Sequence, residues 1–153
     1  MSIKIVLNGA GRIGKSILKQ LLNDERFEIV AINEINPSIE NIVYSINYDS
    51  TYGKLNDKFE VIENSFIQNQ KSKIKITNYK DISELNLDCI DILIDASGQK
   101  TELNILKNLK VDKIILTHPQ KDADINLVLG VNEDKLDLKN HKIISTSSCN
   151  ATA

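Results

Sequence analysis

Short apolar runs alternate with amphipathic stretches along nearly the whole chain. Ile3 to Leu7 is a compact apolar run that predicts a buried strand. Residues 12–22 follow with Ile13, Ile17, Leu18, Leu21 and Leu22 at helical spacing, and Asn23-Asp24-Glu25 ends that helix. Residues 28–33 read as a second buried parallel strand. Pro37-Ser38 opens a second helix through Asn47, with Ser38 as N-cap and Ile39, Ile42, Val43 and Ile46 on one face. Residues 48–58 are polar and predict a loop, and the alternating runs 59–62 and 73–76 predict small antiparallel strands. The buried pattern returns at 90–95, a helix is expected over 101–109 with Leu103, Leu106 and Leu109 facing in, and strands are expected at 113–116, 125–129 and 142–145. Strands alternating with helices of this size predict an α/β fold: Rossmann-like, doubly wound, a mainly parallel sheet with helices on both faces.

The junction between the first strand and the first helix narrows the reading. It carries Gly9-Ala10-Gly11-Arg12-Ile13-Gly14, a GxGxxG placed after a strand and before a helix. Gly9 allows the tight turn, Gly11 lets the backbone approach phosphates, and Gly14 lets the helix pack on the strand. The helix N-terminus supplies N–H groups and a positive dipole end to an anion. About twenty residues past the last glycine an acidic side chain should meet the adenosine ribose, and Glu34 stands there, at the end of the second strand. A carboxylate at that point accepts from the ribose hydroxyls and repels a 2′-phosphate, which favours NAD over NADP. In a doubly wound sheet the ligand lies at the carboxyl ends of the strands, where Gly9, Glu34, Ser97 and Thr117 all fall.

Composition removes several other classes. The chain has 153 residues and a net charge of −2, with acids and bases interspersed, so it is one domain by size with no basic face for nucleic acid. No apolar run reaches membrane-spanning length, and Ser2-Ile3-Lys4 passes directly into a strand, so neither a membrane nor a secretory signal is expected. Two cysteines, Cys89 and Cys149, form neither a disulfide framework nor a metal spacing, which fits a reduced, cytoplasmic setting. Cys89, at the start of a buried run, reads as a small core residue.

Cys149 lies just past the last expected strand, where a following helix would lower its thiol pKa and its N–H groups would stabilise an oxyanion. Beside a nicotinamide this is the chemistry of a covalent aldehyde dehydrogenase. His118 and His141 sit at strand ends and read as surface or cofactor-side residues rather than bases. The acids around Asp49 and Asp122-Ala123-Asp124 read as loop or capping groups.

The whole chain resembles the N-terminal, NAD-binding part of the glyceraldehyde-3-phosphate dehydrogenase family. Asn8-Gly9-Ala10-Gly11-Arg12-Ile13-Gly14 is similar to the family's NGFGRIG, and Ile32-Asn33-Glu34 to its VND. Tyr48-Asp49-Ser50-Thr51-Tyr52-Gly53-Lys54 is similar to YDSxHGx, the most family-specific stretch. Asp95-Ala96-Ser97-Gly98 resembles ESTG, Thr117-His118-Pro119 stands at SAP, Leu129-Gly130-Val131-Asn132 at MGVN, and Ser145-Thr146-Ser147-Ser148-Cys149 at SNASC. The resemblance implies that Cys149 is the nucleophile and that Arg12 and Ile13 offer N–H groups to the NAD pyrophosphate. It also implies that Asn8, Ser97, Gly98 and Thr117 border the cofactor and that Ser148 and Asn150 lie by the substrate phosphate.

The chain departs from the family at Ala10 for Phe, Glu34 for Asp, Gln99-Lys100 for Arg-Phe, Thr146 for Asn, and Asn150-Ala151-Thr152 for TTN. The family's catalytic histidine, substrate-phosphate arginine and nicotinamide-orienting asparagine have no counterparts in these residues. The expectation is therefore a cofactor domain, residues 1–153, whose catalytic domain lies outside the chain. It should bind NAD without turning over a phosphorylated aldehyde, and its full-length form should be a homotetramer. A shortened nucleotide-binding or regulatory module and an erythrose-4-phosphate dehydrogenase-like enzyme remain as alternatives.

Overall fold

The computed structural model describes residues 2–51, 53–63 and 65–146. Cys149, Ser148 and Asn150 lie outside the described residues. The chain begins β1 (Ile3–Asn8), α1 (Arg12–Leu21), β2 (Phe27–Asn33), α2 (Ile39–Asn47). A short hairpin, β3 (Tyr48–Asp49) and β4 (Gly53–Lys54), stands apart from the main sheet. Then come β5 (Glu60–Glu63), β6 (Phe66–Gln68), β7 (Lys73–Thr77), β8 (Ile92–Asp95), α3 (Leu103–Asn108), β9 (Lys113–Leu116), β10 (Ile125–Leu127) and β11 (Ile143–Thr146).

The main sheet runs β10-β11-β9-β8-β1-β2-β7-β6-β5. Every pairing from β10 to β7 is parallel, and β6 and β5 close one edge as antiparallel strands. The expected α/β class and parallel sheet are borne out. Two details differ. Residues 73–77 form a parallel partner of β2 as well as an antiparallel partner of β6, and β6 itself was not anticipated. The expected polar loop carries the β3–β4 hairpin.

Alternation along β1 divides the core in two. Ile5 and Leu7 face Leu18 of α1, Ile42, Val43 and Ile46 of α2, and Ile32, Ile67 and Ile74 of the sheet. Val6 faces the other way, with Leu93, Leu106 of α3, Ile114 and Ile143. Each such side chain, taken fully out of water, contributes about 1.5–3 kcal/mol before entropy is counted. Helices therefore cover both faces, as a parallel sheet requires.

The first helix follows its apolar stripe except at one end. Leu18 is fully buried and Ile17, Leu21 and Leu22 pack beside it, but Ile13, in the first turn, is 54% exposed. Ser38 caps α2 as expected, its hydroxyl accepting from the Asn41 amide at 3.2 Å. Cys89 is the plainest correction: it is exposed, at φ +60°, where the chain reverses before β8. It is a turn residue rather than a core residue.

The hairpin is tied to α1 by two lysines. Lys15 pairs with Asp49 at 2.8 Å, both side chains largely buried, and Lys19 Nζ donates to the Gly53 carbonyl at 2.7 Å. Asp49 also accepts the Thr51 amide, which makes it the loop and capping group expected of it. On the hairpin's outer side Lys58 donates to the Tyr48 hydroxyl and holds that phenol below its ordinary pKa.

A cleft at the carboxyl ends of the strands

The order of strands reverses about β1: β2 and β7 lie on one side, β8 and β9 on the other. Connections leaving β1 and β8 diverge to opposite faces there, which opens a crevice at the carboxyl ends. A cleft of about 620 Å³ occupies that place. It is lined by Asn8, Gly9 and Gly11 from the first turn, Asn33 and Glu34 after β2, and Ala96 and Ser97 after β8. Tyr79, Lys80, Gln99 and Lys100 form its outer walls.

The glycine loop is explained by what surrounds it. Gly9 has φ +94°, and a Cβ there would stand 2.6 Å from the Ser97 amide nitrogen. The residue is glycine for its conformation and also because the turn after β8 presses on it. A Cβ on Gly14 would overlap the Gly9 carbonyl oxygen, so this glycine closes the loop on itself. Gly11 differs: nothing stands within 4 Å of a Cβ placed there. Its face is open, and it is the N-cap of α1 without a side-chain cap. Arg12 and Ile13 are the first helical residues, exposed beside this opening. That leaves room over Gly11 for an anion at the helix N-terminus.

Under the loop lies a chain of buried polar groups. Asn33 Nδ2 donates to Asn8 Oδ1 at 2.7 Å, and Asn8 Nδ2 donates to Asp95 Oδ1 at 2.9 Å. Asp95 Oδ1 also accepts the amide and hydroxyl of Ser97. At the other end Asn33 Oδ1 accepts the Tyr79 amide and the Thr77 hydroxyl. Asn8, Asn33 and Asp95 are all buried, so each lost partner would strand a desolvated group. The chain joins the Tyr79 wall to the Ser97 turn across three strands and fixes the floor of the cleft. Sequence patterning shows Asn33 and Asp95 only as the polar ends of apolar runs; their contact with Asn8 needs the sheet order.

Glu34 sits at the rim, its backbone amide held by the Thr77 carbonyl. Its carboxylate accepts the Ala10 amide at 2.8 Å and the Asn36 amide at 3.3 Å. The structure thus brings Asn8, Gly9, Gly11 and Glu34 together with Ser97, and puts Gly98, at φ +72°, in the same turn. Thr117 follows β9, beyond β8, and stands outside the cleft lining. His118 uses its backbone carbonyl to accept Ser145 Oγ, and His141 Nδ1 accepts the Asp137 amide. Asp124 accepts the Lys142 and Ile143 amides, a loop role as expected. Tyr79, Lys80 and Thr101 were not anticipated in the lining: Tyr79 and Lys80 lie in an irregular segment without a motif, and Thr101, expected inside a helix, precedes α3, which starts at Leu103. Among the described residues no group of His, Cys, Asp and Glu could hold a metal ion, and no helix is long and apolar enough to cross a membrane.

Comparison with known proteins points to one family. Residues 3–103 match the family model described as glyceraldehyde 3-phosphate dehydrogenase, NAD binding domain. Glyceraldehyde-3-phosphate dehydrogenase 1 of Bacillus subtilis (strain 168) is 33% identical over 154 aligned positions, covering 97% of this chain and 45% of the relative. Glyceraldehyde-3-phosphate dehydrogenase of Priestia megaterium is 34% identical, and glyceraldehyde-3-phosphate dehydrogenase 2 of Staphylococcus aureus (strain MRSA252) 40%, with the same two coverages. The chain spans about half the length of the curated relatives it matches. A strand, an open glycine loop and an acidic rim at the switch point of a parallel sheet, with these matches, establish that the chain belongs to the glyceraldehyde-3-phosphate dehydrogenase NAD-binding domain family.

Proposed function

We propose that this chain is the cofactor-holding domain of a phosphorylating aldehyde dehydrogenase that acts on a phosphorylated aldehyde, with its catalytic domain outside these 153 residues. The observation that carries the reading is the open face of Gly11 at the N-terminus of α1, with Glu34 at the rim of the same cleft. Gly11 and the backbone N–H groups of Arg12 and Ile13, at the start of α1, would hold the pyrophosphate of NAD. Glu34 would accept from the adenosine ribose, and Ile35 and Tyr79, which line the same cleft, would flank the base. Asn8, Gly9, Ser97 and Gly98 form the floor and turn beneath the phosphates, and Thr117 lies towards the nicotinamide half.

When bound, NAD supplies the hydride acceptor. By the family resemblance Cys149 would supply the thiolate that adds to the aldehyde carbon, and Ser148 and Asn150 would serve the phosphate. Loss of the resulting thiohemiacetal's hydride to the nicotinamide and of its hydroxyl proton to a base outside these residues would leave a thioester on Cys149. Attack by inorganic phosphate would then break the C–S bond, releasing an acyl phosphate and restoring the thiolate. The full-length protein is read as a homotetramer in the cytoplasm, with small-molecule partners and neither nucleic acid nor membrane among them.

Calorimetric titration tests this directly. The chain should bind NAD, with NADP at least about tenfold weaker because a 2′-phosphate would face the Glu34 carboxylate. Added phosphorylated aldehyde and phosphate should give no NADH from the isolated chain. A folded chain that binds neither dinucleotide would overturn the reading.

A further inference from the structure

Glu34 stands in the family's Asp position and is one methylene longer. That extra reach is used inside the protein. Two successive amides of the glycine loop are held from the end of β2: Gly9 N–H by the Asn33 carbonyl at 2.8 Å, and Ala10 N–H by Glu34 Oε2 at 2.8 Å. Ala10 is buried, so its amide has no ready substitute in water. Glu34 is itself anchored, its amide by the Thr77 carbonyl and its Oε1 by the Asn36 amide at 3.3 Å. The loop's next residue is Gly11, whose backbone begins α1.

We propose that Glu34 is a positioning residue of the phosphate loop: one carboxylate oxygen fixes Ala10 N–H, and with it the path of Gly11 into α1, while the other faces the ribose. The ribose half of this statement rests on the NAD reading above; the loop half does not. Length and charge then have separate duties. Length reaches the Ala10 amide, and charge selects against a 2′-phosphate. An aspartate is shorter by one C–C bond, about 1.5 Å, and cannot keep the contact from the same backbone position. A glutamine has the length and an acceptor oxygen but no charge.

The test separates the two. Ala10 amide exchange is measured by NMR in the ligand-free chain for the wild type, Glu34→Gln and Glu34→Asp, and each is then titrated with NAD and NADP. Glu34→Gln should keep the Ala10 protection and lose preference for NAD over NADP. Glu34→Asp should keep the preference and lose Ala10 protection on the order of tenfold, the usual reach of one hydrogen bond to a charged group. Retained protection in Glu34→Asp, or equal loss in both variants, would overturn the proposal. Exchange is read without ligand, so it decides the loop contact even if no dinucleotide binds.

Discussion

Gly14→Ala should destabilise the chain by at least about 2 kcal/mol, although alanine favours a helix over glycine by about 1 kcal/mol. The added methyl would enter the Gly9 carbonyl oxygen, which is backbone and cannot turn aside. Relief requires moving α1 off the sheet or opening the loop, and the Ala96 side chain at 3.6 Å bars one direction of retreat. Gly11→Ala should behave in the opposite way. Its φ of −70° suits alanine, and the methyl meets no protein atom within 4 Å. Losing glycine at an N-cap and stiffening the unfolded chain nearly offset each other, so stability should stay within about 1 kcal/mol. NAD affinity should fall by at least about tenfold, because the methyl occupies the approach of the phosphates. Urea unfolding and NAD titration of both variants decide the matter. Wild-type NAD affinity in Gly11→Ala would mean that the phosphates pass elsewhere, and wild-type stability in Gly14→Ala would mean that the loop is not closed on itself.

The contrast between these glycines marks what the sequence could and could not show. The motif announces three glycines with three duties, and the strand and helix around it follow from periodicity. It does not show that the turn after β8 presses on Gly9, because that contact joins residues far apart in the chain. Direction was equally hidden at β7. Lys73 and Lys75 alternate with buried Ile74 and Ile76, a pattern that reports one exposed face and nothing about the partner strand. β6 is three residues long and takes its identity from pairing alone. Apolarity also misled at Cys89, a turn at positive φ, and at Leu129, which is 82% exposed past the end of β10. At Leu129 the strand stops because Asn132 turns back to accept the Val128 amide and donate to the Asn126 carbonyl. Glu34 was legible as a position, while its hold on Ala10 belongs to the fold.

The polar floor of the cleft should prove as demanding as its glycines. Asp95→Ala should cost about 2–4 kcal/mol, since it leaves Asn8 Nδ2 buried without its acceptor and releases both Ser97 donors. Removing a buried carboxylate also removes a desolvation cost, which acts against that loss. Asp95→Asn resolves the balance. Its amide oxygen can take the same three donors, while its Nδ2 replaces Asp95 Oδ2, a buried oxygen without a hydrogen-bond partner. The gain from discarding the charge and the cost of one unpaired donor then oppose each other, and stability should remain within about 1 kcal/mol of wild type. NAD affinity should follow the same order, near wild type in Asp95→Asn and reduced in Asp95→Ala, because the Ser97 turn that presses on Gly9 is no longer held. Wild-type stability in Asp95→Ala would show that the acceptor at Oδ1 is dispensable. Asn8 and Asn33 would then be held by the strands that carry them, and the floor would owe its shape to the sheet rather than to its polar chain.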